Sequence, residues 1–572
     1  MYKLTHKIFA VLSVAVAGLV SAAFATTKQG PDKIGIFDLK AIRSVPLDPE
    51  VLAKTKQGDV NIEQVRFTSL PGVRIYAILT YKDNAKGLAG YVKVERFGAI
   101  PLMEQGRNGF LGMSVMAPTG NTDPKRMESV GGPKLVPGTF SIADAYTDDP
   151  KDSYIYQYTV ALLRAMDYLA TRPEVNLSIT TVAGYSWAGT MVALLHALDD
   201  REAAYIVFHG LGPYVDENGL SAGEPSVLGH DNPTKPVFLT RKKYEMYCPA
   251  AYAQYGTKPF FLGTALDDYY TKLDAVTETY AKLKCPKQFI YIPNRHHAET
   301  SRQEMLSHIS WLQYWQFGGE KPPTIGEGSV ANVGGKLIYS CQIDSKYPLA
   351  HAEAMVAYGN PGDWMGKTWH RFNLAKVGDK YQAEIPVYDP KVPFYVIGQI
   401  NTAEKHDAGN GPQFVKPADL GITASNSAYP DLLFDPAQKD DLYIRVGEIE
   451  WSADGPDGKG SAIVAPGDEG TITFQNIDGA LWSGKKVLDI WLKGDGKPGP
   501  ITAYLSFKSQ PYVEIGHGNY TEVELVPKGG TFAAGWHEFV IHLDQVKNLK
   551  EVSTMFLDPN KRRLQIGPIL VK

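Results

Sequence analysis

The sequence predicts an α/β domain over residues 26–320 followed by two all-β sandwiches, and three observations carry that prediction. Buried-looking apolar strands alternate with helix-like stretches as far as about Trp315. The turn formers Gly318-Gly319-Glu320-Lys321-Pro322-Pro323 then interrupt the pattern. Beyond them helical periodicity fades, and short strand-like pieces recur between Gly, Pro, Asn and Asp. At 572 residues the chain is too long for a single ordinary core.

Taken in order, the chain opens with Lys3 and Lys7, the apolar run Ile8 to Val20, and Ala23-Phe24-Ala25. That is the charged, apolar, small-residue order of a secretory leader, so cleavage is expected after Ala25 and the mature chain is expected outside the cytoplasm, secreted or periplasmic. The apolar run falls short of the roughly 20 residues that span a bilayer, so no membrane partner is expected once the leader is removed. The strands expected in the α/β domain are Arg74 to Leu79, Gly90 to Val94, Leu111 to Met116, Ser178 to Ala183, Tyr205 to Phe208, Pro259 to Gly263 and Gln288 to Ile292. They show little alternation, as strands covered on both faces do. Tyr158, Leu162, Ala165 and Leu169 mark one face of a helix that Arg172-Pro173 ends.

Residues 321–405 hold strand-like pieces at Lys336 to Ile343, Ala352 to Tyr358, Tyr381 to Ile385 and Phe394 to Ile400, the spacing of a small Ig-like sandwich. Residues 406–440 are rich in Asn, Asp, Gly, Pro and Ser and read as a linker. In residues 441–572 the alternation of Phe539, Ile541 and Leu543 predicts a second, jelly-roll-like sandwich.

Composition narrows the function. Lys and Arg total 58 against 62 Asp and Glu, so no basic field exists to hold nucleic acid. Three cysteines allow at most one disulfide, for which Cys248 with Cys285 is the expected pair, and no Cys/His spacing resembles a structural zinc site.

The chemistry is carried by Ser178-Ile179-Thr180-Thr181-Val182-Ala183-Gly184-Tyr185-Ser186-Trp187-Ala188-Gly189, a β-branched run that enters Gly-x-Ser-x-Ala-Gly and then a helix-like stretch. This is the context of a nucleophile elbow, in which a strained turn projects Ser186 from a strand end and small neighbours leave room for the turn. A serine nucleophile needs a base and an acid, and in this architecture both follow it from later strand ends. After the strand at Pro259 stand Asp267 and Asp268; after the strand at Gln288 stand His296 and His297. Each pair leaves two candidates.

Leu169-Ala170-Thr171-Arg172-Pro173-Glu174-Val175-Asn176, leading into Gly184-Tyr185-Ser186, resembles the helix end and elbow of α/β-hydrolases of the acetyl xylan esterase and cephalosporin C deacetylase type, within the dienelactone hydrolase-like group. Gly263 to Ala275 and Tyr291 to His297 also resemble PhoPQ-regulated PqaA-type proteins. The resemblance covers about residues 60 to 315 and departs where Trp187-Ala188-Gly189 replaces the esterases' Gln-Gly-Gly. It implies an α/β-hydrolase fold, a triad of Ser186, Asp268 and His297, and no cofactor or metal. The oxyanion would be held by the N–H of Trp187 and by a second N–H around Arg96, Phe97 and Gly98, with Phe97 the chosen donor. The activity expected is hydrolysis of an ester on a small molecule or an acetylated carbohydrate. A peptidase or acyl-peptide hydrolase is the alternative within the fold, and a non-catalytic glycan-binding or cell-surface protein the alternative outside it. Trp451, Trp482, Trp491, Trp536, Tyr504 and Tyr512 supply the aromatic surface a glycan site at the C-terminal domain would use.

Overall fold

The computed structural model describes residues 31–572 apart from 96–97, 124, 134–146, 212–240, 269–270, 272, 296, 298–301, 360–366, 404–405, 437–443, 446–448, 457, 459, 465–471, 475–477, 483, 495, 497–500, 508–519, 526–532 and 559–562. The expected leader and its cleavage point lie outside the described residues. No described helix is long and apolar enough to cross a membrane.

The chain divides into two compact units, with the main division between Pro322 and Pro323. Two short segments that begin in the last residues of strands of the first unit, Ala265–Tyr269 and Tyr291–Thr300, are grouped with the second.

Among the described residues, the main sheet of the first unit is built on nine strands: β1 (Glu50–Gln57), β2 (Val60–Leu70), β3 (Val73–Lys82), β4 (Leu88–Glu95), β5 (Leu111–Met116), β6 (Val175–Tyr185), β7 (Ala204–Phe208), β8 (Phe260–Ala265) and β9 (Lys287–Ile292). Their order in the sheet is β1-β2-β3-β5-β4-β6-β7-β8-β9. The first three pair antiparallel, as do β3 and β5, whereas β5 with β4, β4 with β6, β6 with β7 and β7 with β8 run parallel. Parallel neighbours need crossovers, which helices supply. These include α1 (Tyr154–Leu169) before β6, α2 (Trp187–Leu198) between β6 and β7, and α3 (Leu273–Lys282) between β8 and β9; α4 (Arg302–Phe317) closes the unit.

All seven strands expected from sequence are present, and the antiparallel pair β1 and β2 was not expected. Its exposed pattern in β1, without a buried residue over eight positions, is that of an edge strand and gives no apolar signal to read. The helix begins at Tyr154 because Ser153 caps it, accepting from the Tyr156 N–H. Ala183, Ile206, Phe208, Phe261, Ile290 and Trp311 form a core cluster that joins the middle of the sheet to α4.

The disulfide expectation is not met: Cys248, Cys285 and Cys341 are buried free thiols. Cys285 Sγ faces His196 Nε2 at 3.7 Å. Burial holds the thiols protonated, pushing Cys248 up to about 12 and Cys285 up to about 11.

Among the described residues, the strand pairings within the β part beyond Pro323 are antiparallel. Ser329–Val333, Lys336–Cys341, Lys380–Ile385 and Ala375–Val377 form one sheet; Trp369–Asn373, Leu349–Tyr358 and Phe394–Thr402 form the opposing layer. Asp407–Gly409 and Gln413–Val415 both pair with Phe394–Thr402, and Leu432–Phe434 pairs with the last strand, Leu564–Val571. The linker expected at 406–440 is therefore corrected. Its three-residue strands sit among Asn, Gly and Pro and are too short to show a period. Towards the C-terminus a six-stranded sheet and a five-stranded sheet face each other, with Trp482, Leu488, Ile490, Leu505, Phe539 and Ile566 among the buried residues. One hydrophobic cluster runs from Ile325 to Val571, so the two sandwiches expected separately share a single core.

Candidate active site

Strand β6 ends at Tyr185 and α2 starts at Trp187, leaving Ser186 alone to turn the chain. Its backbone stands at φ 56°, ψ −126°, a strained conformation for a residue with a Cβ. The turn is clamped: the Ser186 N–H donates to the Phe208 carbonyl at 2.8 Å, and the Ser186 carbonyl accepts from the Thr190 N–H at 3.2 Å. Its hydroxyl makes no capping bond to the helix. The small residues expected around the elbow are required by distance. A Cβ on Gly184 would lie 2.5 Å from the Ala188 carbonyl oxygen, and one on Gly189 would lie 2.9 Å from Gly210 Cα. Trp187 opens α2, and the N–H groups of a first helical turn point out past the helix start. Its ring is buried edge-on against Tyr154, 6.4 Å between centroids.

Sequence reading missed two partners of this turn. Gly210 has no room for a side chain, since its Cβ would lie 2.5 Å from the Ser186 carbonyl. His209, at φ 48°, follows the residue that binds the Ser186 N–H; its Nε2 lies 3.6 Å from Glu304 Oε1, both side chains fully buried. The pair explains Gly263, whose Cβ would overlap the Glu304 carboxyl at 2.0 Å. The signal available was a His-Gly pair after a strand, which is too common to single out.

Asp268 and His297 lie together in the second unit. His297 Nδ1 stands 3.0 and 2.9 Å from the two Asp268 oxygens, with Asp268 fully buried and His297 nearly so. With Asp268 ionised, Nδ1 carries the proton and donates it, which leaves Nε2 as the basic nitrogen. Of the two acid candidates, Asp268 meets the imidazole, and the Asp267 N–H donates to the Arg295 carbonyl at 3.1 Å. His296, the other base candidate, lies outside the described residues, as do Arg96 and Phe97, and so the second oxyanion donor. Gly98 is described, at φ 150°.

A cavity of about 880 Å³ lies at the far end of α2, lined by Arg43, His196, Asp199 and Tyr255 among others. Its nearest lining residue on the helix, His196, is ten residues from Ser186, about 15 Å of rise, so the cavity has no part in the elbow's chemistry.

The sheet order, with β3 reversed between β2 and β5, and a serine on the strand-to-helix turn, is the α/β-hydrolase arrangement expected from sequence. No family model matches the chain, and no curated protein matches it. Among solved structures it is similar to the acetyl xylan esterase from Paenibacillus sp. R4, at 17% identity over 48% of this chain and 92% of that one, with a TM-score of 0.38. It is similar also to acetyl xylan esterase 1 from Thermoanaerobacterium sp., at 15% identity over 48% and 91%, TM-score 0.39. A glucuronoyl esterase from Solibacter usitatus aligns at 14% identity over 48% and 87%, TM-score 0.33.

Proposed function

We propose that the chain is an exported serine esterase that removes acyl groups, acetyl foremost, from a polysaccharide or oligosaccharide. The observation that carries the reading is the strained Ser186 turn between a strand end and a helix N-terminus, in a chain whose later strand ends supply a hydrogen-bonded Asp268–His297 pair.

In this reading Nε2 of His297 takes the proton of Ser186 as Oγ attacks the ester carbonyl, and Asp268 holds the imidazole by its Nδ1–H and stabilises the imidazolium that forms. The tetrahedral oxyanion is held by the Trp187 N–H, with Phe97 as the second donor. Collapse expels the sugar alkoxide, which takes the proton back from His297 and leaves an acyl-serine. Water, deprotonated by His297, then releases the acid. Each step uses side chains and backbone alone, and the reaction draws on no cofactor or metal.

The glycan surface in this reading is the outer face of the C-terminal six-stranded sheet. Trp491 stands opposite Glu538, and Lys493 stands opposite both Trp536 and Gln565, so all five share one face while their neighbours Ile490, Leu492 and Phe539 turn into the core. Trp491 and Trp536 are half-buried, and Asp454 pairs with Lys493 and accepts from the Trp536 indole N–H. Flat aromatics flanked by fixed polar groups suit sugar stacking. Trp482 and Tyr504 are core residues, Trp451 packs partly against the core, and Tyr512 lies outside the described residues.

The test is hydrolysis of p-nitrophenyl acetate, butyrate and octanoate by the full chain, beside Ser186→Ala and His297→Ala. Acetate preferred, with both variants inactive, is the expected result. Cleavage of acyl-peptides but not esters would move the reading to a peptidase, and equal rates in wild type and variants would leave a binding protein.

A further inference from the structure

We infer that the β-rich unit is part of the catalytic apparatus, because its strands hold the turn that carries His297. The inference rests on the esterase reading and names residues that act through His297 without touching substrate.

All the groups concerned belong to the second unit. At one end of the segment, Tyr291 and Gln399 bind each other twice: the Tyr291 N–H donates to Gln399 Oε1 at 2.8 Å, and Gln399 Nε2 donates to the Tyr291 carbonyl at 3.0 Å. The Tyr291 hydroxyl donates to the Asn410 carbonyl at 2.9 Å. Three residues on, the pattern repeats. Asn294 Nδ2 donates to the Trp369 carbonyl at 3.1 Å, and the Trp369 N–H donates to Asn294 Oδ1 at 2.8 Å. Asn294 and Trp369 are fully buried, Tyr291 and Gln399 nearly so.

Asn410 is fixed in turn. Its Oδ1 accepts from the Gly398 N–H at 2.8 Å, and its Nδ2 donates to the Tyr339 hydroxyl at 2.7 Å. The acid turn is tied to the same segment, since the Leu266 N–H donates to the Ile292 carbonyl at 3.0 Å and the Asp267 N–H to the Arg295 carbonyl at 3.1 Å.

A buried amide in a protein interior is normally bonded, so bonds alone would mean only satisfied polar groups. Two features go further. Each side chain is bound in both directions to the backbone of the other segment, which fixes position and orientation together. Asn294 also sits at φ 55°, a left-handed conformation in which asparagine is enriched, three residues before His297. The side chain therefore sets the turn from which the imidazole projects.

The test uses the full chain with Asn294→Gly, which keeps the left-handed turn but removes both side-chain bonds, and Gln399→Met, which keeps the size and removes the other pair. On p-nitrophenyl acetate, kcat per folded molecule is expected to fall about 10- to 100-fold with KM within about twofold, as misplacing a catalytic group does. Asn294→Asp keeps the acceptor for the Trp369 N–H and is expected to recover part of the loss. Wild-type kcat in Asn294→Gly and Gln399→Met overturns the inference. So does a fall that only follows loss of folded protein, with kcat per folded molecule unchanged. Ser186→Ala run beside them separates the two readings: if it stays active the esterase reading fails, whereas if it is inactive while Asn294→Gly is fully active only the positioning role fails.

Discussion

At the scale of single residues, the elbow was legible because its demands are local. A strained serine needs small neighbours at fixed offsets, and Gly184, Ala188 and Gly189 stand there in the sequence. Gly184→Ala is expected to lower stability by about 1–3 kcal/mol and to reduce activity, because its new methyl meets backbone that has nowhere to move; denaturant unfolding beside the esterase assay checks both. Gly210 and Asn294 were not legible as parts of the site. One serves through what its missing side chain leaves open and the other through two bonds to a single residue, Trp369, 75 positions away. Asp407 makes a different prediction. Burial, with the charge of Glu353 adding and a bond to Asn401 opposing, pushes its carboxyl from 3.8 up to about 7. The folded state thus holds this proton more tightly than the unfolded chain, so stability is lost as pH rises through the interval from about 4 to about 7. Asp407→Asn keeps the shape without the ionisation. Its melting temperature relative to wild type is expected to be higher at about pH 8 than at about pH 5, and an equal difference at both would remove the assigned cause.

At the scale of elements, the central parallel strands announced themselves as continuous apolar runs, whereas β1 and the three-residue strands at Asp407, Gln413 and Leu432 carried no period long enough to read. The Arg172-Pro173-Glu174 turn that helped to place the elbow proves to be a structural joint. Arg172 binds Glu63 of β2 at 2.6 and 3.2 Å, Glu174 at 3.0 Å through two nitrogens, and the Tyr168 hydroxyl at 2.6 Å, tying the end of α1 to the sheet. Burial opposes the charge on Glu63, yet the bonds from Arg172 and Tyr81 keep its carboxyl below the usual range. Arg172→Ala would leave that carboxylate buried without its cation, and a loss of about 3 kcal/mol in denaturant unfolding is expected. A loss under about 1 kcal/mol would show that the joint is replaceable.

At the scale of the whole molecule, the sequence set the change from α/β to all-β structure at Gly318 to Pro323, where the chain's two units also divide, and it split into two sandwiches a β part whose buried residues form one cluster. Which turns the β part holds could not be read, because Gln399 and Asn410 give no sign in sequence of binding Tyr291. The proposed glycan face belongs to this scale too. Replacing Trp491 and Trp536 together by Ala is expected to abolish retardation of the full chain on acetylated xylan in affinity electrophoresis while p-nitrophenyl acetate hydrolysis is unchanged; undiminished retardation would move any glycan site elsewhere. The account as a whole turns on Ser186 being an activated nucleophile. The most direct test is to treat the full chain with a fluorophosphonate and locate the adduct by peptide mass spectrometry. One adduct on Ser186, formed far more slowly in His297→Ala, is the predicted result; no adduct, or one on another residue at a rate indifferent to His297, would contradict it.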